Sequence, residues 1–470
     1  MSLDFRIEHD LLGDREVPAD RYYGVQTLRA MENFRITGIP ISHYPDLIRS
    51  LAYIKKAAAL ANQKLGLLDT WLAAAIGQAC DRLLRGELLD EFVVDVIQGG
   101  AGTSTNMNAN EVIANLALEI LGSEKGRYDV VHPLNHVNMS QSTNDVYPTA
   151  LRLTLSVLLD RLVAAMESLR LAFETKAQEF ADVIKMGRTQ LQDAVPMTLG
   201  QEFHAYAVML GEDMQRVKEA QTLIYEINMG ATAIGTGLNA HPDYAATVTA
   251  LLRDLSGVPV TQSEDLVEAT QDTGAYVQLS GVLKRVAVKL SKTCNDLRLL
   301  SSGPRAGLHE INLPAMAPGS SIMPGKVNPI IPEVVNQVAF QVIGNDMAVT
   351  MAAAAGQLEL NVMEPVIAYN LFTSIEMLER ACRTLAERAV LGITANRERC
   401  RQMVENSIGL VTALNPLIGY EKASEIANLA LTSGRSVYDI VLEKDYLTEA
   451  ELEEILRPEN MTRPRYLHRR

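Results

Sequence analysis

Long stretches of the chain repeat apolar residues at helical spacing. In residues 151–180, Leu, Val, Ala and Phe recur three or four positions apart, with charged residues between them and no interior glycine or proline. Residues 276–301 and 366–397 follow the same pattern. Because this spacing places the apolar side chains on one face, it predicts amphipathic helices in all three segments. Their length exceeds that of an ordinary globular helix, which points to an elongated bundle.

The segment 333–357 carries apolar residues around nearly its whole circumference. A helix with almost no polar face belongs in the middle of a bundle or between subunits. Aromatic residues make up only 5% of the chain, alternating strand patterns are scarce, and there is no strand–helix–strand series. The sequence therefore predicts a mainly α fold whose cores are seams of Leu, Val, Ala and Met.

Two changes in the pattern suggest domain boundaries. Pro, Asn and Ser accumulate near residues 130–145, and the long helical pattern ends near residues 395–400. In the last part of the chain, Thr448-Glu449-Ala450-Glu451 has the form of a capping box that opens a short helix. The predicted domains are an N-terminal domain over residues 1–141, a central helical-bundle domain over 142–397 and a small helical C-terminal domain over 398–470.

Composition and charge narrow the class of protein. The 43 Lys and Arg against 57 Asp and Glu give a net charge of −14, which argues against nucleic acid and anionic membranes as partners. Four separated cysteines without a CxxC predict reduced thiols rather than disulfides or a zinc site. We expect a cytoplasmic location, because the N-terminus lacks the apolar core of a signal peptide and no apolar run is long enough to span a bilayer.

The stretch GSSIMPGKVNP, residues 319–329, is the most informative of the chain. Its glycines and prolines break regular structure, so it is predicted to be a loop with Gly319 and Gly325 as hinges. Hydroxyls, one fixed positive charge and an amide suit a small anionic substrate that must be held and deprotonated. An ordinary surface loop is the alternative. The groups that the loop presents belong to Ser320, Ser321, Lys326 and Asn328.

Two further clusters, residues 99–111 and 136–145, place hydroxyls and amides ahead of a predicted helix. The first precedes a helical run that starts at Val112, and the second precedes a helix expected to begin near Pro148. Free backbone amides at a helix N-terminus form an anion site without a formal charge. Simple N-capping is the alternative, although three hydroxyls and three asparagines within eight residues exceed what one cap requires.

A third cluster, residues 187–194, and the histidines give weaker signals. Arg188 and Asp193 could form an ordinary ion pair. The eight histidines are scattered, and the near pair His132 and His136 is expected to satisfy turn backbone groups rather than to bind a metal. Without HExxH, GxSxG or a P-loop, the sequence predicts neither a catalytic zinc site nor a nucleophile elbow nor a nucleotide loop.

All four segments resemble, in order and spacing, the motifs of the fumarase/aspartase superfamily, whose members eliminate a group from a succinyl substrate and release fumarate. Residues 6–27 also look like the start of these proteins. Within the superfamily, NMSQSTND at 138–145 and EATQDTGAY at 268–276 are most similar to the ammonia-lyase branch. Fumarases typically carry Lys in place of Met139 and Ser in place of Thr143.

The resemblance implies a mostly helical, three-domain subunit whose central long-helix bundle forms the core of a homotetramer, with sites that combine loops from three subunits. It assigns Ser320 as the base that removes a proton from the substrate Cβ. A preorganised set of donors must then stabilise the enediolate. By the resemblance, the enediolate donors are Thr103, Ser142, Thr143 and Ser321, the other carboxylate is held by Lys326 and Asn328, and the amino group is oriented by Asn144 and Thr189.

Gln190 departs from much of the superfamily, which carries His after the GRT of residues 187–189. A hydroxide leaving group needs a proton from an acid, whereas an ammonium group can depart as neutral ammonia. Gln190 can still hydrogen-bond the substrate, and its lack of a titratable proton favours ammonia elimination over dehydration.

The resemblance therefore implies reversible elimination of ammonia from L-aspartate to give fumarate, through an enediolate and without an organic cofactor. A fumarate hydratase or another fumarate-releasing lyase is the alternative. An activating divalent cation stays open, since no ligand set can be named. A lyase scaffold kept for a structural role is a third possibility, against which the intact Ser320, Lys326 and Asn328 argue.

Overall fold

A computed structural model describes residues 4–457 and Asn460. Over these residues the chain forms sixteen α-helices, several of them 25 residues or longer, so the predicted mainly α fold is confirmed. In chain order the helices are α1 (Val25–Asn33), α2 (Pro45–Lys64), α3 (Thr70–Leu84), α4 (Thr103–Ile120), α5 (Thr143–Glu179), α6 (Leu199–Ile224), α7 (Tyr244–Ser256), α8 (Leu266–Gln271), α9 (Gly274–Leu300), α10 (Ile330–Ala354), α11 (Glu364–Arg388), α12 (Arg397–Asn406), α13 (Leu410–Ile418), α14 (Tyr420–Ser433), α15 (Val437–Glu443) and α16 (Glu449–Ile455).

In the described part of the chain, eight short strands accompany the helices and pair two by two. β1 pairs with β2, β3 with β4, and β7 with β8 in antiparallel fashion, whereas β5 and β6 are parallel. The β3–β4 hairpin carries the predicted cluster at residues 187–194. The strands are β1 (Phe5–Asp10), β2 (Gly13–Pro18), β3 (Ile184–Thr189), β4 (Gln192–Thr198), β5 (Glu226–Ile227), β6 (Thr261–Gln262), β7 (Ile311–Asn312) and β8 (Thr394–Ala395).

The chain divides into two compact units, and the long helices contribute segments to both. The first unit contains the chain up to Val163 together with Gln215–Arg285 and Gln341–Met377. The second contains Ala164–Met214, Val286–Phe340 and the chain from Leu378 onward. The three predicted domains, 1–141, 142–397 and 398–470, remain a prediction, and residues 458–459 and 461–470 lie outside the described part.

In the first unit, α2 packs against α3 and α7, and α3 packs against α4. The apolar side of α2 is completely buried at Ile48, Leu51 and Ile54. Glu111 of α4 fixes the start of α1 by accepting the backbone N–H groups of Gly24, Gln26 and Thr27 at 2.8, 2.8 and 3.1 Å. These are N–H groups that a helix start leaves without intrahelical partners.

In the second unit, the β3–β4 hairpin shares a small apolar core with the helices α12 to α16. Ile184 and Met186 of β3 are buried together with Val404, Leu410 and Leu414. The capping box predicted at Thr448 is present at the start of α16, where the Thr448 hydroxyl and the Glu451 carboxylate exchange hydrogen bonds with each other's backbone N–H. This core supports the hairpin from the side of the C-terminal helices.

The helices predicted from periodicity are confirmed with shifted ends. The segments 151–180 and 276–301 lie in α5 and α9, and 366–397 lies in α11 except that the helix ends at Arg388. In α10, which matches the segment 333–357, Phe340, Met347 and Met351 are 63%, 61% and 66% exposed in the single chain. Within residues 4–457 and Asn460, no helix is long and apolar enough to cross a membrane.

Candidate active site

In the first unit, the N-terminus of α4 lies against the first turns of α5. Gly102, which precedes α4, has a φ of 89°, and a β-carbon there would overlap the ring of Tyr147. Only glycine allows both this conformation and this close approach. The exposed Thr103 therefore begins α4 beside the α5 segment that carries Ser142, Thr143 and Asn144. Two helix N-termini, each with the positive end of a helix dipole, meet at this place.

The helix predicted to start at Val112 begins at Thr103 instead. Asparagine has a low helix propensity, which is why residues 103–111 read as a helix cap in the sequence. Asn106, Asn108 and Asn110 are nevertheless buried inside α4. Asn108 accepts the Val93 N–H at 3.0 Å and donates to the Glu91 carbonyl at 2.9 Å. Such tertiary hydrogen bonds stabilise the asparagines inside the helix.

The helix α5 begins at Thr143 rather than near Pro148. Inside a helix, proline lacks the N–H that would bond to the carbonyl four residues earlier, which is that of Asn144. The side-chain amide of Asn228 donates to this carbonyl at 3.0 Å in place of the missing group. The helix therefore continues through Pro148, and Ser142 to Asn144 form its first turn.

The buried Asp145 side chain fixes the position of this first turn. Its carboxylate accepts the backbone N–H of Ser142 at 3.0 Å with one oxygen, and those of Gly230 and Thr232 at 3.2 and 2.9 Å with the other. Burial raises the pKa of Asp145 to about 7, against the opposing effect of these N–H donors. The Ser142 hydroxyl in turn accepts the Asn144 N–H at 3.2 Å. The cluster is thus tied to the turn at residues 230–232.

The side chains of this cluster point in different directions. The amide nitrogen of Asn144 donates to the Ala233 carbonyl at 2.7 Å. Thr143 is buried, and its hydroxyl oxygen accepts the amide of Asn106 at 3.0 Å. Asn106 also receives a hydrogen bond from the buried Lys55 at 2.7 Å. No sequence pattern indicates Lys55, because a lone lysine in an amphipathic helix belongs to no motif and is normally exposed.

In the second unit, the tip of the β3–β4 hairpin presents Thr189 and Gln190, both exposed. Gln190 and Leu191 form the two-residue turn and have φ values of 55° and 61°. This left-handed conformation is the one that a type I′ hairpin requires, and it is normally occupied by Asn and Gly.

The ion pair considered for Arg188 and Asp193 is absent. Arg188 pairs with the fully buried Glu310 at 2.6 Å, and Lys185 reaches the other oxygen of Glu310 at 2.9 Å. Asp193 instead accepts the hydroxyl of Ser407 at 2.6 Å. Glu310 attracts Arg188 more strongly than the exposed Asp193 does, because a buried carboxylate without charged partners would be far costlier than an exposed one.

Residues 319–329 form a loop without regular structure, as predicted. The hydroxyl oxygen of Ser320 accepts two backbone N–H groups, from Ile322 at 3.2 Å and from Met323 at 2.9 Å. The side-chain amide of Asn328 donates to the Gly319 carbonyl and closes the loop at its base. Ser321 and Lys326 are exposed.

The sequence-predicted residues are therefore gathered in part. Thr103, Ser142, Thr143 and Asn144 lie together in the first unit. The second unit carries two separate groups, Thr189 with Gln190 on the hairpin and Ser320, Ser321, Lys326 and Asn328 on the loop. Over the part of the chain that the structure describes, no hydrogen bond or ion pair joins the hairpin tip to the loop.

His132 and His136 satisfy backbone groups of a turn, as the sequence predicts. The ring Nδ1 of His132 accepts the N–H groups of Leu134 and Asn135 at 3.0 and 3.2 Å, and that of His136 accepts the His132 N–H at 3.0 Å. All four cysteines are buried and unpaired. No three His, Cys, Asp or Glu side chains of the described residues are arranged to hold a metal ion.

Comparisons with known proteins agree with these motifs. The family model described as lyase matches residues 13–344, and the model for the fumarase C C-terminus matches residues 410–463. An aspartate ammonia-lyase from Pseudomonas fluorescens is 64% identical, over 98% of this chain and 97% of its own. One from Escherichia coli is 55% identical, over 100% of this chain and 98% of its own. The crystal structure of a fumarate lyase:delta crystallin from Brucella melitensis is 57% identical, with a TM-score of 0.96 over 98% of this chain and 100% of that one.

Proposed function

We infer that this chain, which belongs to the fumarase/aspartase superfamily, is an aspartate ammonia-lyase. It is a carbon–nitrogen lyase that reversibly eliminates ammonia from L-aspartate to give fumarate. The reaction removes a proton from Cβ, passes through an enediolate and then expels ammonia from Cα. A base for a very weak carbon acid and a site for a concentrated negative charge are therefore required.

The proposed base is Ser320, and its surroundings are the observation that carries the assignment. A serine hydroxyl is a poor base unless its alkoxide is stabilised. The N–H groups of Ile322 and Met323 both point at the Ser320 oxygen. Hydrogen bonds from donors favour the charged form of an acceptor, so these two contacts lower the free energy of the alkoxide. Exclusion of water on closure of the glycine-flanked loop would strengthen both contacts.

The proposed enediolate donors are the hydroxyls of Thr103, Ser142 and Thr143, together with Ser321. The first three stand where the N-termini of α4 and α5 meet, so the helix dipoles favour a negative group there. Their positions are set before substrate binds, by Gly102 against Tyr147 and by Asp145 under Ser142. Ser142 and Thr143, held in place in this way, need little reorganisation as the charge develops. The Thr103 hydroxyl donates to the Gly100 carbonyl at 2.6 Å and would have to turn from it toward the substrate.

The remaining assignments concern the two ends of the substrate. Lys326 and Asn328 are proposed to hold the second carboxylate, Lys326 through its charge and Asn328 through the amide hydrogen not used to close the loop. Asn144, Thr189 and Gln190 are proposed to hold the amino group. The Asn144 nitrogen is engaged with Ala233, so its oxygen remains to accept from an ammonium group.

The proposed assembly is a homotetramer whose sites are shared between subunits, with α10 in its core. Its exposed Phe340, Met347 and Met351 support this assignment, because a contiguous apolar face of this kind is usually covered by a partner. We further propose that the substrate is a small molecule, that no organic cofactor takes part and that the protein is cytoplasmic.

The proposed function is tested by supplying the purified protein separately with L-aspartate and L-malate and following the ultraviolet absorbance of fumarate. Fumarate is expected from L-aspartate, with release of an equal amount of ammonia. Formation of fumarate from L-malate alone would overturn the proposal in favour of a hydratase. The neutral Gln190, which cannot protonate a departing hydroxide, argues against that outcome.

A further inference from the structure

Lys55 is fully buried in the first unit, on the inner side of α2. Its ammonium group donates to three side-chain amide oxygens. These acceptors are Asn106 Oδ1 at 2.7 Å, Asn138 Oδ1 at 2.9 Å and Gln141 Oε1 at 2.9 Å. No carboxylate of the described residues forms an ion pair with it. A buried cation whose hydrogen-bond partners are all neutral groups is unusual and calls for a physical reason.

The surrounding hydrogen bonds favour the charged form of Lys55. The amide nitrogen of Gln141 faces the carbonyls of Val137 and Met139, and that of Asn138 faces the carbonyl of Gln141. Carbonyls only accept, so the amide oxygens of Gln141 and Asn138 must be the atoms that face Lys55. A neutral amine would meet one of the three acceptors with its lone pair. Burial lowers the pKa of Lys55 to about 7, whereas the charge of the Asp145 carboxylate raises it, and a substrate dianion would act in the same direction as Asp145.

Asn106 connects Lys55 to the proposed enediolate site. Its oxygen is occupied by the ammonium group, so its nitrogen donates to the Thr143 hydroxyl oxygen at 3.0 Å and to Asn138 Oδ1 at 3.2 Å. A hydroxyl that accepts in this way keeps its own proton for a second partner. Hydrogen bonds in such a chain also polarise one another, which makes the last donor stronger.

We propose that Lys55 is a positioning residue that acts through Asn106 to make the Thr143 hydroxyl a donor to the enediolate. The lysine fixes the orientation of the Asn106 amide, and the amide fixes the direction of the Thr143 proton. This inference rests on the proposed function, because it requires that negative charge develops next to Thr143. A lysine with only a structural role would bond the same amides, but its loss would not change how strongly the site binds negative charge on the substrate.

Two ligands distinguish these roles. The nitronate of 3-nitropropionate is planar and carries its charge on two oxygens, in the place where the enediolate would carry its charge. Succinate resembles only the substrate before deprotonation. Loss of a donor that acts on the enediolate weakens nitronate binding more than succinate binding. General damage to the site weakens both alike.

The variants are Lys55→Met and Asn106→Asp, with Gln141→Ala as the matched control. Asn106→Asp keeps a partner for Lys55, so it should fold even if Lys55→Met does not, but it makes Thr143 donate into the new carboxylate. Gln141→Ala removes another acceptor of Lys55 and leaves the contacts from Lys55 to Asn106 and from Asn106 to Thr143 in place. The inhibition constants of both ligands, kcat and KM are measured for each folded tetramer.

For Lys55→Met and Asn106→Asp, we expect the preference for nitronate over succinate to fall at least about tenfold, with kcat falling more than KM changes. The control should keep the preference within about twofold. An equal loss for both ligands, or an unchanged preference in Asn106→Asp, would overturn the inference. If the parent protein forms no fumarate from L-aspartate, the proposed function itself has failed, and the two failures are thereby distinguished.

Discussion

Asp145 accepts the backbone N–H of Ser142 at 3.0 Å, so a buried carboxylate sets the position of a proposed substrate-binding residue three places before it. The same carboxylate holds the turn at residues 230–232. The Asp145 side chain therefore fixes the position of the first turn of α5, in addition to the local sequence.

The substitution Asp145→Asn should disturb both stability and activity. The side-chain amide nitrogen that this substitution introduces would face at least one backbone N–H, which leaves a buried donor without an acceptor. We expect the free energy of unfolding to fall by about 1–3 kcal/mol and kcat/KM to fall about tenfold or more. Urea denaturation and initial rates measure the two effects. The exposed Asp129→Asn is the control, and an unchanged kcat/KM for Asp145→Asn would contradict the assignment.

Ser320→Ala should abolish most of the elimination without loss of the fold. General bases typically contribute a factor of about 10² to 10⁴, and we expect kcat to fall within or beyond this range while KM changes little. Fumarate formation from L-aspartate measures the effect, and thermal unfolding verifies the fold. The exposed Ser433→Ala should behave as the parent protein. Retained turnover in Ser320→Ala would show that another group is the base.

Leu191→Gly should stabilise the protein. Leu191 is 70% exposed and has a φ of 61°, so the leucine gains little from burial and strains its backbone. Glycine adopts this conformation without strain, and we expect a gain of about 1 kcal/mol, observed as a higher thermal midpoint at fixed protein concentration. Val195→Gly, at an exposed extended position of the same hairpin, should lower the midpoint. A lower midpoint for Leu191→Gly would mean that the tip is packed against a partner.

The stability of the protein should depend on pH through Glu364, and Glu364→Gln should remove this dependence. Burial raises the pKa of Glu364 from 4.5 to about 8. Between these values the folded state keeps a proton that the unfolded chain has lost, so the contribution of Glu364 to stability is present at low pH and is lost as the pH rises through about 8. Glu364→Gln should therefore be more stable than the parent at about pH 9 and similar to it at about pH 4. Thermal midpoints at both pH values provide the measurement, with the exposed Glu359→Gln as control. A midpoint difference that does not change with pH would contradict this explanation.

The helical fold could be predicted because apolar periodicity is a local signal. The ends of the helices could not, since distant residues decide them. Pro148 indicates a helix start in the sequence, yet Asn228, far along the chain, supplies the donor that lets α5 extend back to Thr143. The β3–β4 hairpin could not be predicted from the sequence because its turn consists of Gln190 and Leu191, which lack the Asn-Gly signature of such turns.

The candidate site could be predicted where chemistry is concentrated in motifs. Hydroxyls and amides close together in sequence identified the segments that carry Thr103, Ser142 and Ser320. Supporting residues such as Lys55 and Glu310 could not be found in this way, because each stands alone in the sequence and acquires its role only through burial. Their partners lie on other helices and strands, which no local pattern reveals.

The two N–H groups on the Ser320 oxygen have a consequence for protein design. The strength of the proposed base would depend on peptide nitrogens, to which the side chains of Ile322 and Met323 make no direct contribution. A proline at either position, or one residue inserted after Ser320, would weaken the proposed base although every side chain assigned to the site remained. Transfer of this chemistry to another scaffold would therefore require the backbone shape of residues 320–323 and not the serine alone.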